Sequence, residues 1–285
     1  VKGTWTKAAS MPAGYAPLYF ASQVLPDGRL IVNGGEYNKS AAGCKSVWTN
    51  KGALYNPTSD SWTDVPPPAS WAAIGDAQSA VRADGKYQIA PAIRANTAPF
   101  DTFESAIATI SGTTVTWNVL TQAQTGKLGA NDEEGWSHLP DRTFLAVNTL
   151  INTTGARSSS EIFNITNNKW SVGPQPTNQL VDGPSAEIGP GVLLPNKVLF
   201  QFGGTSNTGI YRLATKTWVS GPVMPGANTS ADGPAVGAPR RCVEAFPGPD
   251  ARTPGSRARV DETARRRPAR CGPHDAERAL RRHGT

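Results

Sequence analysis

Short apolar runs separated by turn residues recur along residues 1–236, and their order within each unit is constant. In the first unit an apolar run from Phe20 to Leu25 leads into Pro26-Asp27-Gly28. A second run, Leu30-Ile31-Val32, ends in Gly34-Gly35. After a variable loop comes a third, Ala53-Leu54-Tyr55, and a polar turn from Asn56 to Ser61 leads to Trp62. The last full unit repeats the order with Val198 to Phe202, Gly203-Gly204, Ile210-Tyr211 and Trp218. Asp-Gly between apolar runs is a strong hairpin signal, so each unit predicts four antiparallel strands.

Two landmarks keep the same period. Trp5, Trp62, Trp117, Trp170 and Trp218 stand 57, 55, 53 and 48 residues apart. The turns that begin at Leu25, Arg82, Leu139 and Leu194 stand 57, 57 and 55 apart. Four strands per fifty residues is one propeller blade. A lone blade cannot bury both of its faces, whereas blades stacked around an axis can, with Trp and Tyr packed between neighbours. The pattern therefore predicts an all-β chain, a β-propeller of four-stranded blades. Four blades are complete, at about 15–66, 74–121, 133–174 and 182–223. Trp5 is assigned to the outer strand of a preceding partial blade. Asp232-Gly233-Pro234, matching Asp182-Gly183-Pro184, opens a partial last blade.

The double glycine, the Tyr that follows and the spaced Trp resemble the kelch motif. Residues 1–236 resemble bacterial kelch-repeat proteins of the galactose-oxidase-like propeller superfamily. Units two and three depart from the motif, with Ile89-Ala90 and Ala146-Val147 read in the place of the diglycine. The resemblance implies more blades than are present, so the propeller is expected to be truncated at both ends. It also implies activities as different as catalysis and scaffolding. Galactose oxidase holds copper with two His and two Tyr, one of them cross-linked to Cys. Residues 1–239 contain only His138, so copper is not expected; His138 reads as a satisfied strand residue.

Charge changes the picture at the C-terminus. The chain carries a formal charge of +6, with 28 Lys plus Arg against 22 Asp plus Glu. Residues 1–239 balance to zero; the excess lies in 240–285, where every base is Arg. The main domain thus lacks the positive field that steers nucleic acid, and no nucleic-acid partner is expected for it. Residues 237–285 are Arg- and Pro-rich and lose the repeat within one blade. They are expected to be disordered, or to derive from a shifted reading frame. Arg265-Arg266-Arg267 and Arg281-Arg282 are the contacts of the alternative, a basic arm. Cys44, Cys242 and Cys271 form no zinc-type cluster, and no apolar run is long enough for a membrane span. No metal ligand set is assigned.

The candidate chemistry is acidic. Asp76, Asp132, Asp182 and Asp232 are spaced 56, 50 and 50 apart, and each precedes the innermost strand of a blade. Blade one has Tyr19-Phe20 at that point. Such positions lie at one mouth of a propeller channel, where loops converge. Asp76, Gln78, Asp132, Glu134, Trp136, Asp182, Asp232 and Tyr19 are the expected ligand-binding residues. Asp132, Glu133 and Glu134 are the catalytic candidates if the mouth performs acid/base chemistry. A ring of carboxylates can hold a divalent cation such as calcium, and Trp71 or Trp136 can offer a platform to a sugar. Against this, each Asp can simply cap its own turn, most plainly Asp182 and Asp232, where Gly-Pro follows. Two functions remain open: a monomeric, secreted or periplasmic binding propeller for a glycan or protein, or a carbohydrate-active enzyme using the carboxylates.

Overall fold

In the computed structural model, which describes residues 3–38, 47–92, 102–149 and 159–227, the apolar runs form four four-stranded antiparallel sheets. Blade 1 contains β1 (Pro17–Leu18), β2 (Ala21–Val24), β3 (Leu30–Asn33), β4 (Tyr37–Asn38), β5 (Gly52–Asn56) and β6 (Ser61–Asp64). Its sheet runs β2-β3-β5-β6, and β1 pairs with β4 apart from it. Blade 2 is β7 (Gln78–Val81), β8 (Tyr87–Ala90), β9 (Ser105–Ser111) and β10 (Thr114–Leu120). A one-turn helix α1 (Gln122–Thr125) leads to blade 3, made of β11 (Trp136–Leu139), β12 (Thr143–Val147), β13 (Ser160–Asn164) and β14 (Lys169–Val172). Blade 4 is β15 (Ile188–Leu193), β16 (Val198–Gly203), β17 (Thr208–Arg212) and β18 (Thr217–Ser220). Among the described residues no helix is long and apolar enough to cross a membrane.

The inner strands β2, β7, β11 and β15 touch in that order, and no comparable contact among the described residues joins β15 to β2. Strand period then decides what lies between blades. The forward face of blade 1, with Ile31 and Leu54, packs on Tyr87, Ala106 and Trp117 of blade 2. Ala80 of blade 2 meets Phe144, Phe163 and Trp170 of blade 3. Leu145, Val147 and Ile162 of blade 3 meet Leu199, Tyr211 and Trp218 of blade 4. The repeated Trp thus forms an aromatic pair on the back of its blade: Phe163–Trp170 centroids are 5.1 Å apart and Tyr211–Trp218 5.3 Å. Trp5 departs from expectation. It lies outside any strand and is 100% exposed, so it completes no outer strand.

Each blade bends through left-handed backbone at three equivalent places. Before the inner strand these are Tyr19, Gly75, Glu133 and Ala186; in the first hairpin, Gly28, Gly85, Arg142 and Lys197; in the last hairpin, Asp60, Gly112, Asn168 and Lys216. Left-handed backbone costs an L-residue about 1–2 kcal/mol, so recurrence at equivalent sites marks a demand of the architecture. The strand registers also correct one alignment. Asn33 pairs with Ala21, Ala90 with Gln78, and Val147 with Ser160 as Asn33 does with Gly52. Pro91-Ala92 and Asn148-Thr149 therefore stand where blades 1 and 4 have diglycine, two residues beyond the expected pairs. The diglycine itself is sterically required. A Cβ on Gly203 would lie 2.6 Å from the Asn207 carbonyl oxygen, and one on Gly204 would collide with that of Glu187.

The chain divides into two units, Val1–Ala235 and Val236–Thr285. The Arg-rich segment, Asp232 with the start of a fifth blade, and all three Cys lie outside the described residues.

Candidate functional site

The loops that approach the inner strands (residues 65–77, 121–135 and 173–187) are tied to the loops between second and third strands. Gly35 N–H donates to Gly75 O (2.9 Å), Asn131 N–H to Thr102 O (2.7 Å), and Thr205 Oγ1 to Gln179 O (2.8 Å). These loops share one end of the molecule, while the opposite end carries only the tight hairpin turns. Three approach loops hold Asp76, Asp132, Glu133, Glu134, Asp182 and Glu187 against a single base, Lys127. This loop-bearing face is where the candidate residues belong.

They are not alike. Asp182 caps its own turn: its Oδ2 accepts Ser185 N–H at 3.1 Å and Ser185 Oγ at 2.8 Å. Asp76, Asp132 and Glu133 are half-buried. Tyr19 is also half-buried and meets Tyr37 edge to face at 5.8 Å. Gln78 is buried at the first position of β7, and neither atom of its amide meets a hydrogen-bond partner. Among the described residues no group of three His, Cys, Asp or Glu is placed to hold a metal ion. His138 packs edge-on against Phe144 at 5.3 Å, and partial burial lowers its pKa.

Glu134 is withdrawn from the face. Its carboxylate is closed off from solvent and takes a bond from Lys127 Nζ at 2.8 Å. Lys127 also meets Glu161 at 2.5 Å, and its ammonium lies 4.7 Å from the Trp170 ring centroid. Side-chain exposure across the three is 1%, 0% and 1% for Lys127, Glu134 and Glu161. Glu161, on β13, further accepts Leu128 N–H at 2.8 Å and Gly129 N–H at 3.1 Å. The triad thus pins the loop that carries Asp132 and Glu133 onto blade 3. Burial pushes Glu134 up to about 7, against the pull of the Lys127 charge. Burial would lower Lys127, but the charges of Glu134 and Glu161 outweigh it and hold the ammonium above its ordinary value. No periodicity in the sequence links Lys127 to Glu161; the available signal was an acid in the middle of the apolar strand Ser160–Asn164.

The aromatic platforms also change role. Trp71 is 0% exposed and donates from Nε1 to Glu104 at 3.1 Å. Trp136 is half-buried and stacks on Phe144, centroids 5.6 Å apart at 17°. Trp71 offers no open face for a sugar ring, and one face of Trp136 is taken by Phe144.

Four-stranded antiparallel blades, stacked through aromatic residues and carrying a diglycine turn in blades 1 and 4, define a β-propeller whose repeats resemble kelch blades. The chain is 26% identical over 240 residues to the Kelch-like protein terF of Aspergillus terreus, covering 79% of this chain and 48% of that protein. Among solved structures it resembles a fungal alcohol oxidase of the AA5 family in complex with copper. That match has 12% identity and a TM-score of 0.54, over 80% of this chain and 45% of that one. No protein-family model matches. The chain spans about half the length of both proteins.

Proposed function

We propose that the chain binds a positively charged segment of a protein on its loop-bearing face, around Asp76, Asp132 and Glu133. One observation carries this reading. Three approach loops gather six acids at that end, and the single base among them is buried against one of those acids, Glu134, and against Glu161 of β13. A loop face rich in acids raises the local concentration of cationic ligands and steers their approach. The unpaired buried amide of Gln78 adds a group that a ligand or water at that end would satisfy. A glycan held by the same carboxylates through its hydroxyls is the second reading; of its two aromatic platforms, Trp71 is buried.

Peptide arrays and glycan arrays probed with labelled protein test the proposal. Cationic peptides should retain the protein, and added salt should weaken the signal. The double variant Asp132→Asn, Glu133→Gln should bind roughly five- to tenfold more weakly, as expected for two part-exposed charges. Retention on neutral glycans with the cationic peptides blank would refute the reading, as would equal binding by the variant.

A further inference from the structure

The outer strand of blade 2 departs from the other three. Strands β6, β14 and β18 are four residues long, whereas β10 is seven. The turn before it differs too. Four residues separate the last two strands of blades 1, 3 and 4, but only Gly112-Thr113 separates β9 from β10. An outer strand presents a row of unpaired N–H and C=O groups, which proteins blunt by keeping the edge short, charging it or covering it. The other outer strands show these devices. Asp64 ends β6, and Lys169 opens β14, which α1 touches through a bond from Lys169 Nζ to Gln124 O. Ser220 at the end of β18 donates from Oγ to Asn178 Oδ1 at 3.0 Å. Strand β10 shows none of them. Residues 105–120 hold no charged side chain and no Pro, and among the described residues nothing pairs with the outer edge of β10.

The register says which groups point outward. Ser111 and Thr114 flank the two-residue turn, where Gly112 takes φ of 57°, and residues in that position exchange both ladder bonds. Alternation then turns the N–H and C=O of Val115, Trp117 and Val119 away from β9. Their side chains are half-buried against the core between blades 1 and 2, and Trp117 Nε1 donates to Pro66 O at 2.8 Å. Thr114, Thr116 and Asn118 are exposed on the other face. The strand is thus held straight by its own blade while its edge is open to another strand.

We infer that the strand seated on this edge is β10 of a second copy, paired antiparallel about a two-fold axis at Trp117. In that register Trp117 faces its own counterpart, Val115 faces Val119 of the second copy, and every outward N–H and C=O of the three residues is matched. Moving the axis to Thr116 sets Val119 opposite the turn residue Thr113, and moving it to Asn118 sets Val115 opposite Thr121, beyond the end of β10. The sequence of β10 therefore selects one register, and no charge on either strand opposes it. The contact is the same patch on both copies, so the assembly closes as a dimer in place of the monomer expected from the sequence.

Sedimentation velocity of the full chain over a concentration series tests this, and a dimer is expected. The axis sets Thr116 of each copy opposite Asn118 of the other, so paired substitutions read the register. Thr116→Lys with Asn118→Lys places like charges opposite each other and should weaken the dimer by roughly tenfold. Circular dichroism and Tm of the monomer should not change, because both side chains are exposed in the single copy. Thr116→Lys with Asn118→Asp places opposite charges across the same axis and should dimerise at least as tightly as the wild type. A monomer at every concentration overturns the inference; if the two lysines also lower its Tm, other residues of the same chain cover the edge. A dimer indifferent to the two lysines overturns it as well, since the copies then meet elsewhere. So does a dimer that both paired substitutions weaken equally, which would exclude this register.

Discussion

Replacing Lys127 by Met removes a cation from between two acids while keeping most of the volume. The ammonium bonds Glu134 at 2.8 Å and Glu161 at 2.5 Å, and none of the three side chains is more than 1% exposed. Breaking a buried pair from one side leaves an uncompensated charge and costs about 3–5 kcal/mol. Stabilities of domains run to roughly 5–15 kcal/mol, so the loss is a large share of the whole and lowers Tm by roughly 10 °C. Urea unfolding at pH 8 measures it. A loss under about 1 kcal/mol would refute the triad as a buried unit.

The same triad gives the protein a pH dependence of known sign. Glu134 titrates at about 7 in the fold and near its ordinary 4.5 when unfolded. The folded chain therefore takes up this proton first as pH falls. The stabilisation is complete below about 4.5 and is lost as pH rises through about 7. At about 1.4 kcal/mol per pKa unit the effect is on the order of 3 kcal/mol. His138 works in the opposite direction, since its lowered pKa favours the fold as pH rises through the imidazole range. The comparison that isolates Glu134 is therefore Glu134→Gln, which keeps His138. The wild type should lose stability between pH 5 and pH 8 relative to that variant, and identical pH profiles would refute the assignment.

Two further substitutions test the architecture by thermal or urea unfolding. Gly28→Ala should cost about 1 kcal/mol from backbone conformation alone, because φ is 86° and nothing lies within 4 Å of the added Cβ; Gly28→Asn should cost less. Gly204→Ala should cost more than Gly28→Ala, because its Cβ meets the backbone carbonyl of Glu187 and relief requires the approach loop to move.

What repeats was legible. The hairpin turns at Leu25, Arg82, Leu139 and Leu194 and the strands around them follow from alternation and turn chemistry; the Trp of the last strand pairs with an aromatic in blades 1, 3 and 4, while in blade 2 Trp117 pairs with Ala108 and meets Tyr87 edge to face. The turn-capping reading of Asp182 was also open to sequence, because Asp followed by Gly-Pro is a local arrangement. What failed was side-chain direction where tertiary packing decides it. Trp71 stood near an acidic residue and read as a platform, yet its ring is wholly buried in the apolar cluster between blades 1 and 2, a packing that the local sequence does not name. Glu134 was grouped with Asp132 and Glu133 as a run of acids; its partner is Glu161's neighbour in space, with Lys127 between them, 34 residues away in the chain from Glu161.

Backbone strain does not single out the loop-bearing face. Tyr19, Glu133 and Ala186 are left-handed there, but Arg142, Lys197, Asp60, Asn168 and Lys216 are equally so in the plain hairpins. In a repeat protein a feature shared by every unit is explained by the unit, and function is more informatively sought where one unit departs from the others. The link between blades 2 and 3 departs most. It alone among the approach loops contains a helical turn, α1, three consecutive acids and a buried lysine. The triad fixes the base of that loop to β13, so Asp132 and Glu133 are held on a rigid support rather than on a free loop. The link also carries the proton of Glu134, so the protonation that stabilises the fold acts one residue from the acids proposed to meet the ligand. Binding at Glu133 should therefore weaken in Lys127→Met even though Lys127 never reaches the surface.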